Sequence, residues 1–190
     1  MNKFIALIVM ILCSPLFLLI LIILYKNRPI FFFQNRIGKD LKIFKIIKFR
    51  TMLYNEFSDI QLNDGDNLKE KRELYKTTET GDSRVTKFGI ILRKYHLDEL
   101  PQLINIFKGD MNLIGPRPDV PVQKFDYTEK DWRIRNSVKP GITGLSQISE
   151  YKSEKERQAL DVYYVKNKNF WMNLKICIMT IIKIAKGNSL

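Results

Sequence analysis

The longest apolar pattern in the chain runs from Phe4 to Leu24, 21 residues without a charge. A helix needs roughly 20 apolar residues to cross a bilayer core, so residues 1–27 are expected to form a membrane-inserted helix. The run is too long for a signal peptide, and Tyr25-Lys26-Asn27-Arg28 follows it in place of a small-residue cleavage site. A buried helix of a soluble core is the weaker competing reading. Ser14-Pro15 interrupts the run near its middle. Proline lacks the N–H that would bond the carbonyl four residues back, so a kink is expected there. A kinked helix can span the bilayer, or it can re-enter and leave by the same face, with Ser14 satisfying a freed carbonyl. Lys3 on one flank and Lys26 and Arg28 on the other do not decide between the two.

Beyond the anchor the pattern becomes that of an α+β domain over residues 28–190. Pro29 to Arg36 and Leu41 to Met52 read as strands joined by a Gly38-Lys39-Asp40 turn, a hairpin near the membrane surface. In the second strand Ile43, Ile47 and Phe49 share one face, and Lys42, Phe44, Ile46 and Lys48 the other. Residues 55–82 are polar and weakly patterned, which predicts an exposed loop with a short helix. Thr86 is a candidate cap for a helix through Arg93, and Leu100, Leu103, Ile104 and Phe107 give a helix from about Asp98 to just before Gly109. Ser153-Glu154-Lys155-Glu156 is a capping box for a helix to about Val165. Phe170 to Lys186 is apolar, with Lys175, Lys183 and Lys186 within about 80° of one another on a helical wheel. Such a helix can lie in the membrane interface with its lysines reaching phosphates, or pack on the core.

Charge narrows the partners. Net charge is +12, yet residues 55–82 hold eight acids against four bases, which leaves +16 on the remainder. Such an excess suits lipid headgroups, phosphorylated substrates or nucleic acid. The anchor and the lack of a recognised module argue against nucleic acid. Cys13 and Cys177 form no metal spacing or disulfide framework, and a single histidine, His96, argues against a Ser-His-Asp triad.

Asp98 and Glu99 stand at the predicted start of a helix, where capping alone is the commonest reason for acids. The same helix end can hold phosphate through free backbone N–H groups, and Arg93, Lys94 and Lys108 crowd it. A carboxylate there can serve as a nucleophile or hold a metal ion. Gly115-Pro116-Arg117-Pro118 is a stiff loop in which two prolines limit the entropy lost when Arg117 clamps a phosphate. Lys139-Pro140-Gly141-Ile142-Thr143-Gly144 is a second such loop, whose glycines suit close backbone approach or tight turns. A basic membrane-surface scaffold accounts for the charge and the apolar helices, but not for the order of these motifs.

In order, Lys48-Phe49-Arg50-Thr51-Met52, Asp82-Ser83-Arg84-Val85-Thr86-Lys87-Phe88-Gly89, Leu97-Asp98-Glu99-Leu100-Pro101-Gln102-Leu103, Lys108-Gly109-Asp110-Met111 and the two loops above resemble the bacterial sugar transferase family. These are the monotopic phosphoglycosyl transferases, and the likeness runs from Ser14-Pro15 to Asp161-Val162-Tyr163-Tyr164-Val165. The resemblance implies transfer of a sugar 1-phosphate from a UDP-sugar to undecaprenyl (polyprenyl) phosphate with release of UMP. It implies Asp98 as nucleophile through a covalent phosphosugar ester, Glu99 as ligand of Mg²⁺, and Arg93 and Arg117 as phosphate ligands. Ser14-Pro15 then favours the re-entrant topology, with the catalytic domain on the cytoplasmic face of the bacterial inner membrane. His96 replaces a serine frequent in the family, and Gln147-Ile148-Ser149-Glu150-Tyr151-Lys152 departs from its usual Gln-Val-Asn-Gly-Arg. The sugar, the pathway and the formation of a homodimer are left open.

Overall fold

In the computed structural model, which describes residues 2–26, 28–53, 72 and 82–187, the apolar N-terminal run is two helices. Helix α1 (Asn2–Leu12) and helix α2 (Ser14–Leu24) meet at a bend of 63°. Pro15 cannot donate to the Ile11 carbonyl, and the Ser14 hydroxyl takes that carbonyl instead at 2.8 Å. Among the described residues no single helix is long and apolar enough to cross a membrane, whereas the bent pair is, by length and composition. Each half buries only a stripe: Ala6 of α1, and Ile20 and Leu24 of α2. Phe4, Ile11, Leu12, Leu18, Leu19 and Ile22 remain exposed.

The hairpin forms as the alternation predicts, with shorter strands. Strand β1 (Phe31–Ile37) pairs antiparallel with β2 (Ile43–Phe49) in the register Phe31↔Phe49 to Ile37↔Ile43. A 3-10 turn at Lys39–Leu41 closes it, with Asp40 and Leu41 at positive φ. Both faces of β2 are apolar because both are covered. Ile46 joins Ala6, Leu103, Ile106 and Met111 in one cluster, while Phe49 joins Ile20, Leu24 and Leu92 in another.

Helix α3 (Lys87–Lys94) starts at the expected cap, where Thr86 Oγ1 accepts from the Gly89 N–H at 2.9 Å. The single helix expected from Asp98 to Gly109 is divided. A 3-10 turn, Leu97–Glu99, carries the two acids, and helix α4 (Gln102–Lys108) begins only after Pro101. His96, at φ 54°, reverses the chain ahead of that turn, and Pro101 has no N–H with which to continue a helical ladder. Gly109, at φ 97°, ends α4.

Strand β3 (Asn112–Ile114), a 3-10 segment (Pro121–Asp126), helix α5 (Glu129–Arg135), strand β4 (Gly141–Thr143), helix α6 (Leu145–Ile148), helix α7 (Glu154–Asn167) and helix α8 (Phe170–Lys186) complete the α+β architecture. β3 and β4 are parallel, so part of the second glycine-containing loop is strand. At the start of α7 Ser153 caps Glu156 N–H, but the Glu156 carboxylate accepts from Lys152 N–H, one residue earlier than a reciprocal box requires. Helix α8 has the expected bounds and combines both readings. It buries Ile176 and bonds Thr180 to Thr143, yet leaves Phe170, Trp171 and Ile181 exposed. The polar loop 55–82 lies outside the described residues, apart from Arg72, which pairs with Asp126, and Asp82.

Candidate active site

Residues far apart in sequence converge on the 3-10 turn. Lys48, near the end of β2, donates to Glu99 Oε1 at 2.6 Å, and Arg117 Nη2 donates to the same oxygen at 3.1 Å. Asp98 is as buried as Glu99 but differently served: Lys48 Nζ stands 4.0 Å from its Oδ2, and it accepts no hydrogen bond from the described residues. Arg93 does not touch either acid. Its Nε donates to Thr51 Oγ1 at 2.8 Å.

The two acids are therefore electrostatically unlike. Burial pushes both carboxyls up. At Glu99, Lys48 and Arg117 more than reverse this and hold it well below the usual carboxylate range. At Asp98 burial wins, helped by the Glu99 charge and only partly offset by Lys48, Arg117 and Arg93. Glu99 is a clamped anion, and Asp98 is the less stabilised and more basic oxygen donor.

Arg117 is held from behind. Gly115 N–H donates to Thr143 O at 2.9 Å and Gly141 N–H to Pro116 O at 3.0 Å. A Cβ on Gly141 would lie 2.1 Å from Gly115 N, so the glycine serves approach of one loop to the other. Arg36 Nη1 donates to Pro118 O at 2.8 Å, and Arg135 donates to the Arg117 carbonyl. Arg135, 1% exposed, also pairs with Asp119 at 3.2 Å and Asp161 at 3.0 Å. Ser146 and Tyr127 donate to Asp161 and Asp119, and the buried Arg157 stands 3.6 Å from each of the two acids.

Of the residues the sequence singles out, the structure places Glu99 against Arg117 with Asp98 next to it, and holds Arg93 apart on Thr51. Sequence reasoning missed Lys48 as a site residue, although the motif containing it was visible, and it missed Arg135 altogether. Two cavities flank the centre. A polar crevice is lined by Lys48, Glu99, Gln102 and Arg117, and the buried Gln102 Nε2 has no partner there. A cleft of about 180 Å³ adjoins it, reaching from His96 and Leu100 to α8. His96 makes no side-chain cap. In the divergent 147–152 segment, Gln147 Nε2 donates to Ile142 O at 3.0 Å, tying α6 back to β4.

Among the described residues no three His, Cys, Asp or Glu side chains gather as a ready-made metal site. Mg²⁺ does not require one. It commonly keeps several waters and is held by one or two carboxylates together with substrate phosphates. The Glu99 carboxylate, which lines a crevice rich in cations, with Asp98 next to it in the chain, fits that mode.

The family model described as bacterial sugar transferase matches residues 1–187. The chain is 37% identical over 183 residues to the UDP-N-acetylgalactosamine-undecaprenyl-phosphate N-acetylgalactosaminephosphotransferase of Aeromonas hydrophila, covering 92% of this chain and 40% of that protein. It is 34% identical over 164 residues to the UDP-glucose:undecaprenyl-phosphate glucose-1-phosphate transferase of Escherichia coli K12, covering 82% of this chain and 32% of that protein. To the exopolysaccharide production protein ExoY of Sinorhizobium fredii it is 40% identical over 188 residues, 95% of this chain and 81% of that one. The chain thus spans about two fifths or less of the first two relatives.

Proposed function

The chain belongs to the bacterial sugar transferase family, and on that premise we propose that it transfers a sugar 1-phosphate from a UDP-sugar to undecaprenyl phosphate, with Asp98 as the nucleophile. The observation that carries this reading is the division within the acid pair. Glu99 is neutralised by Lys48 and Arg117, while Asp98, buried beside the same cations, accepts no hydrogen bond from the described residues. A nucleophile needs that availability, because hydrogen bonds to a carboxylate stabilise it and reduce its reactivity.

A carboxylate oxygen of Asp98 attacks the sugar-linked phosphorus. The bond from that phosphorus to the bridging oxygen breaks, and UMP leaves with its electron pair. The phosphosugar is then an ester of Asp98. A phosphate oxygen of the lipid attacks the same phosphorus, the bond to Asp98 breaks, and the carboxylate is restored. The product is a sugar joined to the polyprenyl chain through a diphosphate. Each displacement brings anions together, so Lys48 and Arg117 lower the barrier by facing the phosphate oxygens. Arg93, tethered to Thr51, adds positive charge without touching the acids. Glu99 and Asp98 would hold Mg²⁺ jointly with the substrate phosphates. Bound there, the ion supplies charge neutralisation at the transferring phosphoryl group.

The anchor fits a re-entrant helix over residues 1–27, with the catalytic domain, 28–190, on the cytoplasmic face. Asn2 Nδ2 donates to Asn112 Oδ1 at 2.8 Å at one end of the bent pair, and Leu24 packs beside Phe49 at the other, so both ends stay with the domain. The exposed apolar residues of α1, α2 and α8 then face lipid, and a soluble donor meets a lipid acceptor at the interface. Incubation with UDP-N-acetylgalactosamine or UDP-glucose and Mg²⁺, without lipid, should release UMP and leave a phosphosugar adduct on Asp98 visible by mass spectrometry. EDTA should suppress both. Lipid-dependent transfer without either signal would refute the covalent route.

A further inference from the structure

The charged centre explains the chemistry at phosphorus but not the apolar cleft beside it. Leu100, Ile142, Ile148 and Ile184 wall that cleft, between α8 and the β4–α6 segment. Its exposed wall is mostly apolar, and several of its polar groups bond one another, although Gln147 Oε1 has no partner among the described residues. Thr143 and Thr180 share a hydrogen bond of 2.6 Å, and Lys183 Nζ donates to Gln147 O at 3.0 Å. What remains to be filled is hydrocarbon in character. An apolar cavity of about 150 Å³ takes one benzene molecule. A cleft of about 180 Å³ therefore has room for a five-carbon isoprene unit.

Its position supplies the rest. Glu99 and Arg117 line both this cleft and the polar crevice, so a group seated here has its neighbouring atoms beside the charged centre. In the other direction α8 leaves Ile178, Ile181 and Ile182 exposed. We propose that the cleft seats the isoprene unit next to the phosphate of the polyprenyl phosphate acceptor. Its phosphate meets Arg117, and the remaining chain follows the exposed face of α8 into the bilayer. The inference rests on the transferase reading above, from which it takes the acceptor. It adds where the lipid is gripped: by a pocket for its first unit, on the side of the centre formed by α8.

Two measurements test this with the full chain in detergent. A farnesyl phosphate carrying a diazirine on its phosphate-proximal isoprene unit should crosslink within residues 142–148 and 178–187. Labelling confined to α1, α2 or the hairpin would overturn the proposal. Ile148→Trp fills the cleft. It should lower kcat/KM for undecaprenyl phosphate at least tenfold and change kcat/KM for the UDP-sugar less than twofold. Equal losses in both constants, or no loss in either, would also overturn it. If Ile148→Trp does not fold, the photolabelling of the unaltered protein still decides. Labelling of the cleft without UMP release from any UDP-sugar would instead overturn the transferase reading and leave the lipid site standing.

Discussion

Asp98 and Glu99 are neighbours in the chain, yet the fold treats them oppositely, and this can be measured. The folded protein disfavours the charge on Asp98 and favours that on Glu99. Without substrate or metal, Asp98→Asn should raise the thermal midpoint while abolishing UMP release and the adduct. Glu99→Gln should lower stability by roughly 1–3 kcal/mol, because it leaves Lys48 and Arg117 facing a neutral group in a buried site. Lys48→Met should cost at least tenfold in kcat for UMP release, since it removes the cation nearest both acids in the geometry seen here. The acid pair and the Arg117 loop were legible in sequence because their residue types are unusual together. Lys48 was not, because it is brought to Glu99 by strand register, 51 positions away in the chain.

Elements followed their local signals where those signals were complete. The hairpin, the Thr86 cap and the bounds of α8 all appear where alternation, capping and apolar length put them. The helix expected from Asp98 failed because an apolar repeat continues through Pro101 while the hydrogen-bond ladder cannot. The bend of the anchor is the element whose geometry is simplest to alter. Pro15→Ala restores the missing N–H, competes with Ser14 for the Ile11 carbonyl, and should straighten the pair toward a spanning helix. With Cys13 and Cys177 replaced by serine, Asn2→Cys should react with an impermeant maleimide only from the side of the catalytic domain. Adding Pro15→Ala should open labelling from the opposite side. Opposite-side labelling with Pro15 in place would rule out the re-entrant topology.

Across the whole molecule, the Arg135 network joins elements no local pattern connects. It ties α5 to α7 through Asp161, to the loop after β3 through Asp119, and to the Arg117 backbone. Arg135→Met should destabilise the fold by roughly 1.5–3 kcal/mol in chemical denaturation, since Asp119 and Asp161 lose their nearest guanidinium and keep only Arg157 at 3.6 Å and the Tyr127 and Ser146 hydroxyls. A milder probe, Ser146→Ala, should retain the fold and lower kcat/KM for the UDP-sugar if the network sets the position of Arg117. The parallel pairing of β3 with β4 was equally hidden. Each strand is three residues long, and the glycines that permit their contact read in sequence as loop punctuation.

The hydrogen bond from Asn2 to Asn112 joins positions 110 apart. A ribosome adding about 5–20 residues per second makes the second partner roughly 5–20 s after the first. For that interval the apolar face of α1 lacks Ile106 and Met111, which cover Ala6 in the finished fold, and a bilayer is a surface that can take their place. For the re-entrant anchor proposed above, insertion during synthesis would therefore precede docking, and the membrane would hold α1 before it becomes the place of work.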